Sequence, residues 1–374
     1  MNGPPDFLAK LLCDHVAWPT TARGWEALLG QARCASLSAR LGDKLAKEIA
    51  AGQLPAAMPA GAAALLQASQ KVASGVASGM ALEVERVERC LRPHRLRCVL
   101  LKGAAYLCAG LPPARGRVFG DIDLIVPKAD LAAAESALKG GGWISSNFGL
   151  YHQRYYRQWM HEIPPLVHVR RGSVLDLHHT ITPPTSVFHV DGAKLLAAIR
   201  PVNTAQRLWV LQPVDMVLHS AVHLFAEGEF DHGLRDLLDM ADLLRHFESS
   251  EPGFWHVLLA RARELRLTVP LHHALTHIER LFGPRVPPAQ RAAAQAQRPP
   301  WHRRWMMGWL LRVALRPRHP SCRSLDDGLA RWLLYVRAHW LRMPLRLLLP
   351  HLLRKAWQRR FGPEHSGPVA AIGP

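Results

Sequence analysis

The apolar positions of this chain change period along its length. To about residue 95, Leu, Ala and Val recur at three- and four-residue spacing, which predicts a run of helices broken at the PAAMPAGAAA stretch of 55–64. The last of them is expected over 73–91. CVLLKG at 98–103 then has the short, continuous apolar character of a buried strand ended by glycine. Next come a short helix near 104–109, a Pro/Gly/Arg loop over 110–120, a strand at DIDLIV (121–126) and a helix at 129–139 closed by glycines 140–142. Extended segments are expected near 143–147, 151–158 and 165–170, and VLDLHH at 174–179 completes one sheet of mixed strands. Beyond Pro184 helical spacing returns in VDMVLHSAVHLFAEG and HGLRDLLDMADLLRHF, a bundle expected to pack behind the sheet. The organisation read from these patterns is an α+β fold: a helical segment at 1–79, a mixed-sheet core at 80–184, a helical bundle at 185–300 and a helical tail at 301–374.

Composition narrows this picture. Hydrophobic residues make up 49% of the 374 positions, which excludes a disordered chain. Lys and Arg number 47 against 29 Asp and Glu, a formal net charge of +18 that favours polyanionic partners, although a coding bias toward Arg also raises it. The six cysteines form no CxxC pair and read as reduced core residues. The N-terminus lacks the pattern of a secretory signal, and Arg interrupts every apolar window of spanning length, so a cytoplasmic location is expected, with peripheral contact at the inner face of the membrane as a further possibility. The basis for that contact is the segment 301–361, where six tryptophans accompany fourteen Lys/Arg and only Asp326 and Asp327 as acids. Such a surface suits anionic lipid or nucleic acid, and it equally describes a helical subdomain with a solvated basic face.

The chemistry is concentrated in the predicted strands. Asp121 and Asp123 flank Ile122, and the two-residue period of a strand turns both carboxylates to one side while Ile122 enters the core. Two like charges held so close call for a cation, and hard oxygen ligands suit Mg²⁺ or Mn²⁺. Asp176 lies on another predicted strand, where Leu175 and Leu177 would face the core and Asp176 the opposite way, and it is a third metal ligand or a base. Upstream, Lys102, Gly103 and Ala104 mark a strand-to-helix turn where backbone can approach phosphate, with Arg115, Arg117 and Gly120 from the following loop as further nucleotide contacts.

LLKGAAYL, RGRVFGDIDLIV with PKADL, and VLDLHHT together resemble the uncharacterised nucleotidyltransferase family of bacteria, over roughly residues 80–250. The resemblance implies a polymerase-β-like nucleotidyltransferase fold and metal-dependent transfer of a nucleoside monophosphate from an NTP such as ATP to an acceptor. It places Gly103 and Ala104 at the glycine-small turn, Asp121 and Asp123 at the metal pair and Asp176 at the third acid. Two departures stand out: Ala104 where the superfamily often has Ser, and 16 residues between Ala104 and Asp121. A catalytically inactive nucleotide-binding or scaffold protein of the same fold is the alternative.

Other clusters read as structure. His219 and His223 have a zinc-compatible spacing but no HExxH glutamate or cysteine partner, which favours core or supporting roles for them and for His178 and His179, with His178 the candidate for the acceptor side. Asp236, Asp239 and Asp242 recur at helical spacing beside Arg235 and Arg245, as a paired polar helix face does.

Overall fold

The computed structural model describes residues 6–343 except 56, 146–149, 204–206, 229, 284–285 and 297. Four helices lead in: α1 (Phe7–Leu12), α2 (Ala22–Cys34), α3 (Ser38–Ala50) and α4 (Ala62–Leu91). Thr21 starts α2 by accepting the Gly24 backbone N–H at 3.2 Å. The long α4 begins well before the expected position 73, and its buried stripe, Leu66, Ala73, Met80, Val84, Val87 and Leu91, keeps a helical period throughout.

The core then alternates β1 (Cys98–Leu100), α5 (Lys102–Cys108), β2 (Asp121–Ile125), α6 (Leu131–Gly140), β3 (Trp143–Ser145), α7 (Leu150–Trp159), β4 (Leu166–His168), β5 (Val174–His178), α8 (Gly192–Leu196), β6 (Arg200–Asn203) and β7 (Leu208–Val210). These seven strands form one mixed sheet in the order β3-β4-β5-β2-β1-β7-β6. β1 is wholly buried, as a strand between two neighbours and covered on its faces must be. It runs antiparallel to β2 and parallel to β7, while β2 and β5 are parallel.

Two expectations are corrected. The segment 151–158, expected to be extended, lies in α7. There Tyr155 and Trp159 meet edge-on at 5.8 Å, and Arg154 Nε donates to Gln158 Oε1, pairings at four-residue spacing that a helix aligns. The purely helical pattern expected beyond Pro184 is also interrupted, because β6 and β7 extend the sheet at its far edge. Their three- and four-residue lengths, with Pro201 inside the first, give too little alternation to register as strands.

The remaining helices are α9 (Pro213–Glu227), α10 (Gly233–Ser250), α11 (Phe254–Glu264), α12 (Thr268–Phe282), α13 (Pro288–Gln295), α14 (Trp301–Ala314) and α15 (Asp327–Arg342). A single apolar core, reaching from Leu8 through Leu100 and Leu177 to Leu334, unites lead-in, sheet and terminal helices. The cysteines are unbridged, with Cys98 and Cys322 buried. Among the described residues no helix is long and apolar enough to cross a membrane. Trp301, Trp305, Trp332 and Trp340 stand more than half exposed on α14 and α15.

Candidate active site

Strand alternation builds the centre of the site. In the parallel register of β2 and β5, Asp123 lies opposite Asp176, and the intervening Ile122, Leu124, Leu175 and Leu177 are all buried in the core. The expected geometry is therefore present: Asp121, Asp123 and Asp176 each offer a carboxylate oxygen, and these oxygens lie within 4.8 Å of one another. No two of these oxygens could approach so closely without compensation in a half-buried setting.

Part of that compensation is internal. Asp123, 3% exposed, accepts from Lys102 Nζ at 3.2 Å and from His178 Nε2 at 3.0 Å, both on Oδ1. Burial opposes its charge, but Lys102 and His178 outweigh burial and hold the carboxyl far below the usual range. Lys102 reciprocates: burial would discharge it, and Asp123, Glu227 and Asp121 keep it an ammonium. It achieves this contact at φ 43, a left-handed conformation that bulky side chains rarely take. His178 is likewise raised, burial being overcome by its bond to Asp123 and by the charge of Glu162.

The compensation stops short of Asp176. Burial first, then the charges of Glu162 and Asp123, push its carboxyl up to about 7, and its buried Oδ1 has no hydrogen-bond partner. Asp121 is raised by burial and by Asp123. An orphaned carboxylate oxygen beside two other carboxylates is a donor set that a hard divalent cation satisfies, so the residues fit such an ion. A second group lies alongside, His161, Glu162 and His178, also with ligand atoms within 4.8 Å of one another. His161 is neutral, pushed down to about 3 by burial and by His178.

These groups open into a cavity of about 590 Å³, a size suited to a small-molecule ligand. Lys102, Gly103, Arg117, Gly120, Asp121, Asp123 and Asp176 all line it, so seven of the nine residues singled out from the sequence as metal ligands or nucleotide contacts converge. Ala104 does not; the whole residue is buried at 1% exposure, packed beneath the cavity wall instead of facing a ligand. Arg115 is exposed outside the cavity. Gly103 is needed for a close approach other than phosphate, since a Cβ there would meet Phe119 at 3.0 Å and Arg117 at 3.3 Å.

Arg117 is committed to carboxylates. It pairs with Asp239, which also accepts from Arg40 Nη2 at 3.2 Å, and Arg40 Nη1 reaches Asp242 at 2.5 Å. Arg235 and Arg245 hold Asp236 and Asp242 at 2.7 and 2.9 Å. The acidic face of α10 is thus a paired network, as its spacing suggested, and it fastens the loop before β2 to α3 and α10. His219 is a buried core residue and His223 pairs with Glu227 at 2.6 Å, in keeping with the non-zinc reading of the pair. His179 turns toward the Met160 carbonyl at 3.3 Å.

Several cavity residues escaped the sequence reading: Tyr106, Tyr156, His161, Glu162, Ser220, Glu227 and Arg342. The only signal for His161 and Glu162 was a polar dipeptide between Met160 and Ile163, and Glu162 enters the site because it bridges to His178 across the sheet. Tyr106 donates to or accepts from Ser220 at 2.6 Å, a pairing 114 residues apart in sequence that no local pattern discloses.

No curated protein and no solved structure matches the chain. The family model described as uncharacterised nucleotidyltransferase matches residues 21–283, a stretch that contains every carboxylate of the site together with β1 to β7, and the chain therefore belongs to that family.

Proposed function

We propose that the protein transfers a nucleoside monophosphate from an NTP to an acceptor hydroxyl, releasing pyrophosphate, at the cavity around Asp121, Asp123 and Asp176. The observation that carries this reading is the convergence of those three carboxylates from two neighbouring strands, with one buried oxygen lacking a partner. Asp121, Asp123 and Asp176 would hold Mg²⁺ or Mn²⁺, which when bound neutralises phosphate charge and acidifies the attacking hydroxyl. Asp176 would either bind the metal that acidifies the attacking hydroxyl or itself take the acceptor proton, as the new phosphoester bond forms and the bond to pyrophosphate breaks. Lys102 and His178 fix Asp123 in place, and the Arg117 network fixes the strand entry. Gly103 and Gly120, which line the cavity, would offer backbone to the nucleotide.

The binding-only reading draws on one observation, the Lys102 ammonium already seated on Asp123. The deciding experiment supplies purified protein with each α-labelled NTP, Mg²⁺ or Mn²⁺ and cell extract, and follows pyrophosphate release and acceptor labelling. Labelling by the wild type and not by Asp121→Ala/Asp123→Ala supports transfer. Equal signals from both remove these carboxylates from the chemistry, and nucleotide binding without pyrophosphate supports the binding module. The exposed Trp301, Trp305, Trp332 and Trp340 beside exposed Arg303 and Arg304 supply the surface on which contact with an anionic membrane or nucleic acid is proposed, testable by vesicle and oligonucleotide binding of the four-Trp-to-Ala variant.

A further inference from the structure

The last helix among the described residues, α15, lies outside the residues matched to the family, yet it reaches the cavity. It packs on the C-terminal end of α9 closely enough that the capping residue must be glycine: Gly228 has φ 79, and a Cβ there would stand 2.5 Å from Cβ of Ala338. Arg337 Nη1 donates to the Phe225 carbonyl at 2.7 Å, satisfying one of the last carbonyls of α9. On the other side, Val187 N donates to Leu341 O at 2.9 Å and Thr185 Oγ1 to Arg342 O at 2.8 Å. The last turn of α15 is pinned from two directions, and Arg342 is carried into the cavity that holds Asp121 and Asp123.

The cations around that cavity are not equivalent. Lys102 is paired with Asp123, Arg117 with Asp239 and Arg235 with Asp236. Among the described residues, Arg342 is the one Lys or Arg lining the cavity with no carboxylate at ion-pair distance; its guanidinium makes only a 3.5 Å contact from Nη2 to the Glu227 carbonyl. A guanidinium offers five donors in a planar fork that suits phosphate oxygens, and a half-buried one without an anion is poised to receive one.

Resting on the nucleotidyl-transfer reading, we infer that Arg342 is a nucleotide-binding residue that receives the triphosphate of the NTP. The 301–343 region is then part of the active site, reaching the cavity beside the C-terminal end of α9. Its role is to supply the positive charge that Lys102 and Arg117, held by their own carboxylates, cannot.

The test uses the full chain and measures binding of ATP, GTP, CTP and UTP, and of the monophosphate of whichever base binds, with Mg²⁺ by calorimetry. Arg342→Ala and Arg342→Gln are expected to weaken triphosphate binding about tenfold to a hundredfold, the range for a lost charge-assisted hydrogen bond, and to change monophosphate binding less than about twofold. Arg342→Lys should recover part of the loss. Arg337→Gln, which breaks the neighbouring cap on α9 outside the cavity, should leave the ratio of triphosphate to monophosphate affinity unchanged. Wild-type triphosphate affinity in both Arg342 variants, or equal losses for tri- and monophosphate, overturns the inference while leaving the transfer reading in place. A wild-type protein that binds no NTP overturns both.

Discussion

Replacing Arg117 with methionine isolates the device that holds the loop before β2. Its guanidinium is 14% exposed and pairs with Asp239, whose side chain is 4% exposed, and its face lies 5.9 Å from the Tyr106 ring. Removing one partner of a buried pair costs about 3–5 kcal/mol because the other charge is stranded. Two features of the site set the value within that range. Asp239 keeps Arg40 at 3.2 Å, and burial has already pushed its carboxyl up to about 6 against the pull of Arg117 and Arg40, so a small further rise lets it take up a proton near neutral pH. The expected loss is about 3 kcal/mol at pH 8, shrinking toward pH 5.5 as the stranded carboxyl is protonated. Arg117→Met/Asp239→Asn, with no carboxylate left to strand, should lose only about 1 kcal/mol, which means a coupling of at least about 2 kcal/mol between the two sites. Urea unfolding of the wild type, both single variants and the double at pH 8 and 5.5 measures all of this. Single-variant losses that simply add, or an Arg117→Met penalty that does not change with pH, would refute the account of the network.

Gly228→Ala should undock α15 or strain it, because the residue would be forced to φ 79 against Ala338; a loss of roughly 2–4 kcal/mol in urea midpoint analysis is expected, and a neutral effect would mean the packing is looser than described. Lys102→Met should bind Mn²⁺ about tenfold more tightly by calorimetry, since the ammonium now neutralising Asp123 competes with the cation; weaker binding would show that Lys102 supports the metal site. His277, 2% exposed, is pushed down to about 3 by burial and then by Arg280, so the folded state holds it neutral while the unfolded chain takes up a proton below about 6.5. Its stabilisation is present at neutral pH and lost as pH falls from about 6.5 toward 3, and between pH 7.5 and 4.5 His277→Phe should lose roughly 2–3 kcal/mol less stability than the wild type; parallel pH dependences would contradict that assignment.

The carboxylate pair was legible because strand alternation is local: DIDLIV and VLDLH each state which face every residue takes, and the register of β2 with β5 then brings Asp123 and Asp176 opposite one another. The acidic face of α10 was legible for the same reason, through its helical period. Its partners were not. Arg40 and Arg117 lie 199 and 122 residues from Asp239, and an arginine in a lead-in helix or a loop carries no mark of the carboxylate it will meet. α7 was not legible as a helix, since tyrosines and tryptophan favour strands in general while its decisive interactions are contacts one turn apart. Arg342 was read as one of many basic residues in a tail, since only the packing of α15 on Gly228 distinguishes it from its neighbours.

The charge of the cavity leads to the most general prediction. A net charge of +18 draws polyanions toward the molecule as a whole, yet the cavity itself is lined by seven carboxylates, Asp121, Asp123, Glu162, Asp176, Glu227, Asp236 and Asp239, against the four Lys and Arg side chains Lys102, Arg117, Arg235 and Arg342. Three of those four cations are spent on carboxylates. A bare triphosphate would therefore meet an excess of like charge at close range, in a setting where water screens it poorly. Only divalent cations on Asp121, Asp123 and Asp176, or carried in on the phosphates, reverse that balance. NTP binding should accordingly be absent in EDTA and appear as Mn²⁺ is titrated, with at least about a hundredfold difference in affinity between the two conditions, and inorganic triphosphate should follow the same dependence. Equal nucleotide affinity with and without the metal would place the triphosphate away from the three carboxylates, and their closeness would then need another explanation.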